Sequence, residues 1–235
     1  MYTTILWDID NTLLDFNASE KYAFDTCMKN AGITPSDALL AAYSRINLSF
    51  WKMLERGEIT REKLLAQRFV SFFDSVGITG VDTDLFKDTY QTLLGSVAYH
   101  LDDSLTLCRR LHRTHKQYIV TNGVASTQRN KLLLSGLGEV VDGCFISEEL
   151  GCEKPSSLFF EKSFSQIPGF RKEEAVIIGD SLTSDMRGGN NAGIACCWYN
   201  PKNLPAPGDI RLDYIIKNLW EILPIVGCEE DCPDR

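Results

Sequence analysis

Apolar residues along this chain keep two different rhythms, and the change from one to the other divides it. Between residues 19 and 98 the spacing is helical throughout. Residues 19–31 read as one helix. Residues 36–56 are the clearest, with Leu39, Tyr43, Ile46, Phe50 and Leu54 recurring at helical intervals and Gly57 just past the end. Thr60 caps a third helix that runs to residue 73 and closes near Gly77; a fourth spans residues 84–98. Elsewhere short, continuously apolar runs alternate with helical stretches. The runs at 3–7, 118–120, 144–146, 175–178, 194–199 and 214–216 read as strands, and those at 105–112, 128–134, 157–165, 184–192 and 219–223 as helices.

Alternation of strand and helix predicts a parallel sheet covered on both faces, since buried parallel strands are apolar without a polar face. The run at 3–7 belongs with the later strands. The all-helical block is therefore an insert, which gives a core from residues 1–14 and 98–235 and a helical domain from 15–97. The chain has 235 residues, 44% hydrophobic and 24% charged, enough to bury a sizeable core. Its formal net charge of −8 argues against a nucleic-acid polymer or an anionic membrane as partner, while leaving room for a small anion in a locally positive site. No membrane-length apolar run and no signal peptide is visible, so a cytoplasmic location is expected; the expected assembly is a monomer or homodimer, which the sequence does not decide. Eight cysteines in a chain of this kind read as reduced thiols, and Cys228 and Cys232 as part of a frayed tail rather than a metal site.

The chemistry begins where the strand at 3–7 ends. Residues i and i+2 of a strand point the same way, so Asp8 and Asp10 aim two carboxylates at one place. Two like charges held that close need a cation or a shared proton. A metal, a nucleophile, or both would account for the pair. Other polar clusters follow at later strand ends and loops: Thr121-Asn122-Gly123, Lys154-Pro155, and Gly179-Asp180-Ser181 with Asp185 five residues after Asp180. Ligands of open α/β sheets bind at such carboxyl ends. A calcium loop is a poor alternative, because Leu13 stands where that loop needs glycine and Ser19 where it needs glutamate.

In this order and context the four clusters resemble those of the haloacid-dehalogenase-like superfamily of aspartate-nucleophile phosphatases, over nearly the whole chain. The resemblance implies a Rossmann-like, doubly wound core with an inserted helical cap, a Mg2+ ion, and phosphoryl transfer through an aspartyl-phosphate. Asp8 would be the nucleophile and Asp10 the general acid and base. Asp8 and Asp180 would give the metal side-chain oxygens and Asp10 its backbone carbonyl, with Asp185 just outside, steadying a water of the ion or Lys154. Thr121, Lys154 and the Asn122 backbone N–H would hold phosphoryl oxygens.

Asp10 and Asp180 favour phosphate over halide displacement, which needs neither a second acid nor a metal. A phosphonate-cleaving branch would need a cap lysine, for which Lys21 and Lys52 are available. On the helix at 36–56, Tyr43, Asn47, Phe50 and Trp51 lie at i, i+4, i+7 and i+8, so that aromatic rings can stack a base and Asn47 can bond its edge. This stretch, with Gly57-Glu58-Ile59-Thr60 after it, resembles the cap of bacterial pyrimidine 5'-nucleotidases. The same aromatics can equally pack the cap. The expected activity is a Mg2+-dependent phosphomonoesterase acting on nucleoside monophosphates. A sugar-phosphate phosphatase or phosphomutase stays open, as does a non-catalytic regulatory binding protein on the same fold.

Overall fold

The computed structural model describes residues 1–228. Two compact units share the chain, one made of Met1–Asp15 with Ala98–Arg235 and the other of Phe16–Val97. The discontinuous unit is built on six parallel strands: β1 (Thr4–Trp7), β2 (Lys116–Thr121), β3 (Gly143–Ile146), β4 (Ala175–Gly179), β5 (Ala195–Tyr199) and β6 (Tyr214–Ile216). Their order is β3-β2-β1-β4-β5-β6, so β1 is central and the direction of winding reverses beside it. Trp7 lies level with Ile119 of β2 and Ile178 of β4. The period of two is visible in the packing. Trp7, Ile119, Ile178 and Cys197 fall in one apolar cluster, while Leu6, Val120, Ile177 and Trp198 fall in another. Both faces of the sheet are thereby covered. Gln117, buried on β2, accepts from the Trp7 indole at 2.9 Å and donates to the Cys108 and Val140 carbonyls, so its burial leaves no polar group stranded.

The second unit consists of four helices: α1 (Phe16–Asn30), α2 (Asp37–Glu55), α3 (Arg61–Val76) and α4 (Thr83–Leu94). Ser36, Thr60 and Asp82 cap the last three through side-chain oxygens, each satisfying amide protons that the first turn leaves unpaired. Gly77 closes α3 at φ 67°, a left-handed turn that suits glycine. The fourth helix stops at Leu94, short of the expected 98, because Gly95 stands at its end and helix interiors disfavour glycine. Phe24, Tyr43, Phe69, Phe72 and Tyr90 form the centre of this unit.

Six further helices serve the sheet: α5 (Ser104–Leu111), α6 (Ala125–Ser135), α7 (Ser147–Leu150), α8 (Ser157–Phe164), α9 (Arg187–Ala192) and α10 (Ile222–Val226). The helix expected over 184–192 is in fact two pieces, a wider π turn at Leu182–Met186 followed by α9. Likewise, the expected helix at 219–223 opens as a 3-10 turn, Leu219–Glu221, fastened by a reciprocal cap between Asn218 and Glu221. The seven described cysteines are free thiols. Burial pushes the Cys27, Cys108 and Cys197 thiols up to about 12, which makes them poor nucleophiles. The expectation for the Cys228–Cys232 pair falls in part on Cys232, outside the described residues. Among the described residues no helix is long and apolar enough to cross a membrane.

Candidate active site

The site is assembled at the carboxyl ends of β1, β2 and β4. Asp8 follows β1 directly, and its N–H donates to the Ile178 carbonyl at 2.9 Å, extending the pairing by one residue. The chain then turns sharply. Leu13 and Leu14 donate back to the Ile9 carbonyl, and Asn11 sits at φ 61°, a conformation that asparagine tolerates better than most residues. This turn folds the motif over itself and brings Thr12 under Asp8. The Thr12 hydroxyl donates to Asp8 Oδ2 at 3.3 Å and accepts the Asp180 N–H at 3.1 Å, tying the β1 and β4 ends together.

Lys154 is the hub. Its buried ammonium donates to Asp8 Oδ1 at 2.8 Å, to Asp185 Oδ1 at 2.5 Å and to the Val120 carbonyl at 2.7 Å. All three of its protons are engaged. Burial alone would lower its pKa, but the Asp185 and Asp8 carboxylates outweigh that and hold it above its ordinary value. Its backbone is gripped by Asn122, whose side-chain amide donates to the Lys154 carbonyl and accepts the Lys154 N–H, both at 2.9 Å.

Asp8, Asp180 and Asp185 each offer a carboxylate oxygen within 4.8 Å of the others, a group that can hold a cation. Burial, then the Asp185 carboxylate, pushes Asp8 up to about 7 even with Lys154 opposing. Burial and the Asp8 and Asp185 charges raise Asp180 well above its ordinary value. Four carboxylates, counting Asp10, face two ammonium groups, Lys154 and Lys131. A small divalent cation would offset the excess negative charge, and the all-oxygen donor set suits Mg2+. Asp185 reaches this cluster because β4 ends in glycine. A Cβ built on Gly179 would lie 2.3 Å from Asp185 Oδ2, and the Ser181 N–H donates to that same oxygen at 3.0 Å.

Asp10 is held from the other side. Lys131 Nζ donates to Asp10 Oδ1 at 2.6 Å, and the Gln128 amide donates to Asp10 Oδ2 at 3.0 Å and to the Thr121 hydroxyl at 2.7 Å. A hydroxyl that accepts from Gln128 still has its own proton to give. Asp8, Asp10, Thr121, Lys154, Asp180 and Asp185 are thus brought into one constellation. Asn122 adjoins it by clamping Lys154. Thr12, Gln128 and Lys131 were not singled out in the sequence. Thr12 lay four residues from Asp8 inside the same motif, and the only hint of the other two was their three-residue spacing on the helix after Thr121.

The candidates in the helical unit fare differently. The Tyr43 ring is stacked between Phe69, 4.9 Å away, and Phe24, 5.2 Å away, and is wholly buried, so it presents no face to a base. Its place in the substrate set is withdrawn. Asn47 is buried with both ends of its amide engaged, donating to Glu20 Oε1 and accepting from Arg68, each at 3.0 Å. It braces the unit's interior instead of offering a base edge its hydrogen bonds. Phe50 and Trp51 are half-buried beside Leu54, Ile59 and Leu64, with Arg61 over the Trp51 ring at 5.9 Å. Helical spacing places residues on one face but does not say whether that face looks into the unit or out of it.

The fold is a doubly wound parallel sheet with a carboxylate cluster past its central strand, and the haloacid dehalogenase-like hydrolase profile matches residues 2–193: the chain belongs to that family. Among relatives, HAD-hydrolase YfnB of Bacillus subtilis is 36% identical over 97% of both chains. Pyrimidine 5'-nucleotidase PynA of Streptococcus pneumoniae is 37% identical, covering 100% of this chain and 96% of its own, and pyrimidine 5'-nucleotidase YjjG of Escherichia coli is 26% identical over 93% and 95%. The crystal structure of YfnB, bound to magnesium, superposes with a TM-score of 0.90 over 96% of this chain and 98% of that one.

Proposed function

We propose that this hydrolase is a Mg2+-dependent phosphomonoesterase working through an aspartyl-phosphate, with nucleoside 5'-monophosphates, pyrimidine ones foremost, as substrates. The observation that carries the chemistry is Asp8 itself: a buried carboxylate at the end of the central strand, fixed by Lys154 and Thr12, with a second carboxylate two residues on. A bound Mg2+, held by Asp8, Asp180 and the Asp10 carbonyl with Asp185 at hand, would supply charge stabilisation for the phosphoryl group.

The residues divide the work as follows. An Asp8 oxygen attacks phosphorus, and the bond to the ester oxygen breaks. Protonated Asp10 gives its proton to that leaving oxygen. Ionised Asp10 then takes a proton from water, whose oxygen attacks the phosphoryl group and releases Asp8 and inorganic phosphate. The Thr121 hydroxyl donates to a phosphoryl oxygen. Lys154, its protons already engaged, acts as a close positive charge or exchanges one contact for phosphate. Desolvation strengthens every one of these interactions.

The helical unit is assigned the selection of substrate, and 37% identity to PynA over the full chain supports the pyrimidine nucleotide choice. Phosphate release from a panel of nucleotides and hexose phosphates, with and without Mg2+, tests the proposal. UMP, dUMP and dTMP should lead the panel; a preference for hexose phosphates would overturn the nucleotide part. Asp8→Asn should lower turnover by at least about 10³-fold, and full activity in that variant would overturn the mechanism.

A further inference from the structure

Helix α6 is built the wrong way round. Its buried residues are Thr127, Gln128, Lys131, Leu132 and Ser135, while Leu133 and Leu134 are 78% and 57% exposed. Turning leucines outward to bury a lysine and a glutamine sacrifices apolar burial. Buried lysine is rare unless it is paired. Lys131 has its pair in Asp10, at 2.6 Å, and Gln128, one turn away on the same face, bonds the other oxygen of that carboxylate. Room for Gln128 comes from Gly123, where a Cβ would lie 2.8 Å from the Gln128 side chain. Asp10 itself stands on a turn, its side chain 24% exposed. Without these donors, packing would leave the carboxylate free to rotate.

We infer that Lys131 and Gln128 are positioning residues for the general acid: together they fix both oxygens of Asp10 so that it meets the leaving oxygen of the ester in a single orientation. The inference rests on the acid role proposed for Asp10 and adds to it the two groups that make that role efficient. Gln128 does more than Lys131, because the same amide group orients the Thr121 hydroxyl.

General acid catalysis matters most when the leaving group is a poor one, which gives a readout that mere loss of stability cannot imitate. kcat/KM reports the steps through transfer to Asp8. In Lys131→Met it should fall about 10- to 100-fold on UMP, the effect of misplacing a catalytic group, but by less than about threefold on 4-nitrophenyl phosphate, whose leaving group needs little protonation. Inhibition by orthovanadate should change by less than about twofold, because phosphate binding is not at stake. Lys131→Arg should restore most of the UMP rate. Gln128→Met should show the same leaving-group bias together with weaker vanadate inhibition. Should Lys131→Met fail to fold, Lys131→Gln and Gln128→Met carry the same comparison.

Equal losses on both esters, or an unchanged UMP rate, would overturn the inference. Asp10→Asn is the control. If it shows the leaving-group bias and the Lys131 variants do not, only the positioning role fails. If Asp10→Asn shows no bias either, the acid role falls with it.

Discussion

Gly179 carries more of the site than its size suggests. The space where its side chain would stand is filled by Asp185, whose Oδ2 lies 2.3 Å from the position of a Cβ. Asp185 in turn accepts hydrogen bonds from the Lys154 ammonium and the Ser181 N–H. Gly179→Ala should therefore push Asp185 out of the acidic cluster. Turnover is expected to fall about 10²-fold, as for a misplaced catalytic contact, with a loss of about 1–3 kcal/mol from overpacking. Steady-state kinetics and a denaturation curve on the same protein measure both. A normal rate would mean that Asp185 has slack that the structure does not show.

At the scale of elements, the helical unit conceals a polar network. Glu20 on α1 accepts from Ser44 at 2.5 Å and from Asn47 on α2, and Arg68 on α3 bonds Asn47 and, at 2.6 Å, Gln91 on α4. One set of hydrogen bonds thus ties all four helices. Burial nonetheless raises the Glu20 pKa above its ordinary 4.5, against the pull of Ser44, Asn47 and Arg68. A folded pKa above the unfolded one means that the native chain holds the proton longer, so ionising Glu20 costs stability. Unfolding free energy should fall as pH rises through 4.5 toward the native pKa. Glu20→Gln removes that slope. Urea unfolding of both proteins from about pH 4 to about pH 8 should show the wild type losing ground to the variant as pH rises. Parallel curves would show that Glu20 is not the group responsible.

Asp8 and Asp10 were legible in the sequence as two acids directly after a buried apolar run, although β1 stops at Trp7 and Asp10 stands on the turn that follows instead of continuing the strand. Asp180 and Asp185 were legible because they follow an apolar run on a predicted parallel strand. Tyr43 was misplaced because a helical stripe of aromatics fits an inward or an outward face equally well. Lys131 and Gln128 escaped because their partner lies about 120 residues away in the chain and because α6 contradicts the ordinary rule of burying leucine, a conflict typical of functional sites. The π turn at Leu182–Met186, which carries Asp185, escaped because such turns gather at functional sites and have no sequence period of their own.

For the whole molecule, a concentration of negative charge at one buried point should couple stability to cations. At Mg2+ about 100 times its Kd, the folded state should gain about 2.7 kcal/mol, seen as a rise in Tm. Asp180→Asn removes one of the crowded carboxylates. In chelator it should melt no lower than the wild type, and Mg2+ should shift its Tm far less. An equal Mg2+ shift in both proteins would place the ion elsewhere.

The central strand lies on the far side of the helical unit, in sequence, from both of its neighbours. A ribosome adding about 5–20 residues per second needs several seconds to travel from Trp7 to Lys116, and longer still to reach Ala175. For that interval β1 is an oily ribbon with two bare edges, while the helices of Phe16–Val97 can already close upon themselves. Asp8 thus leaves the ribosome well before the scaffold that aims it, and a nascent chain stalled between those points would be open to strand-capturing chaperones.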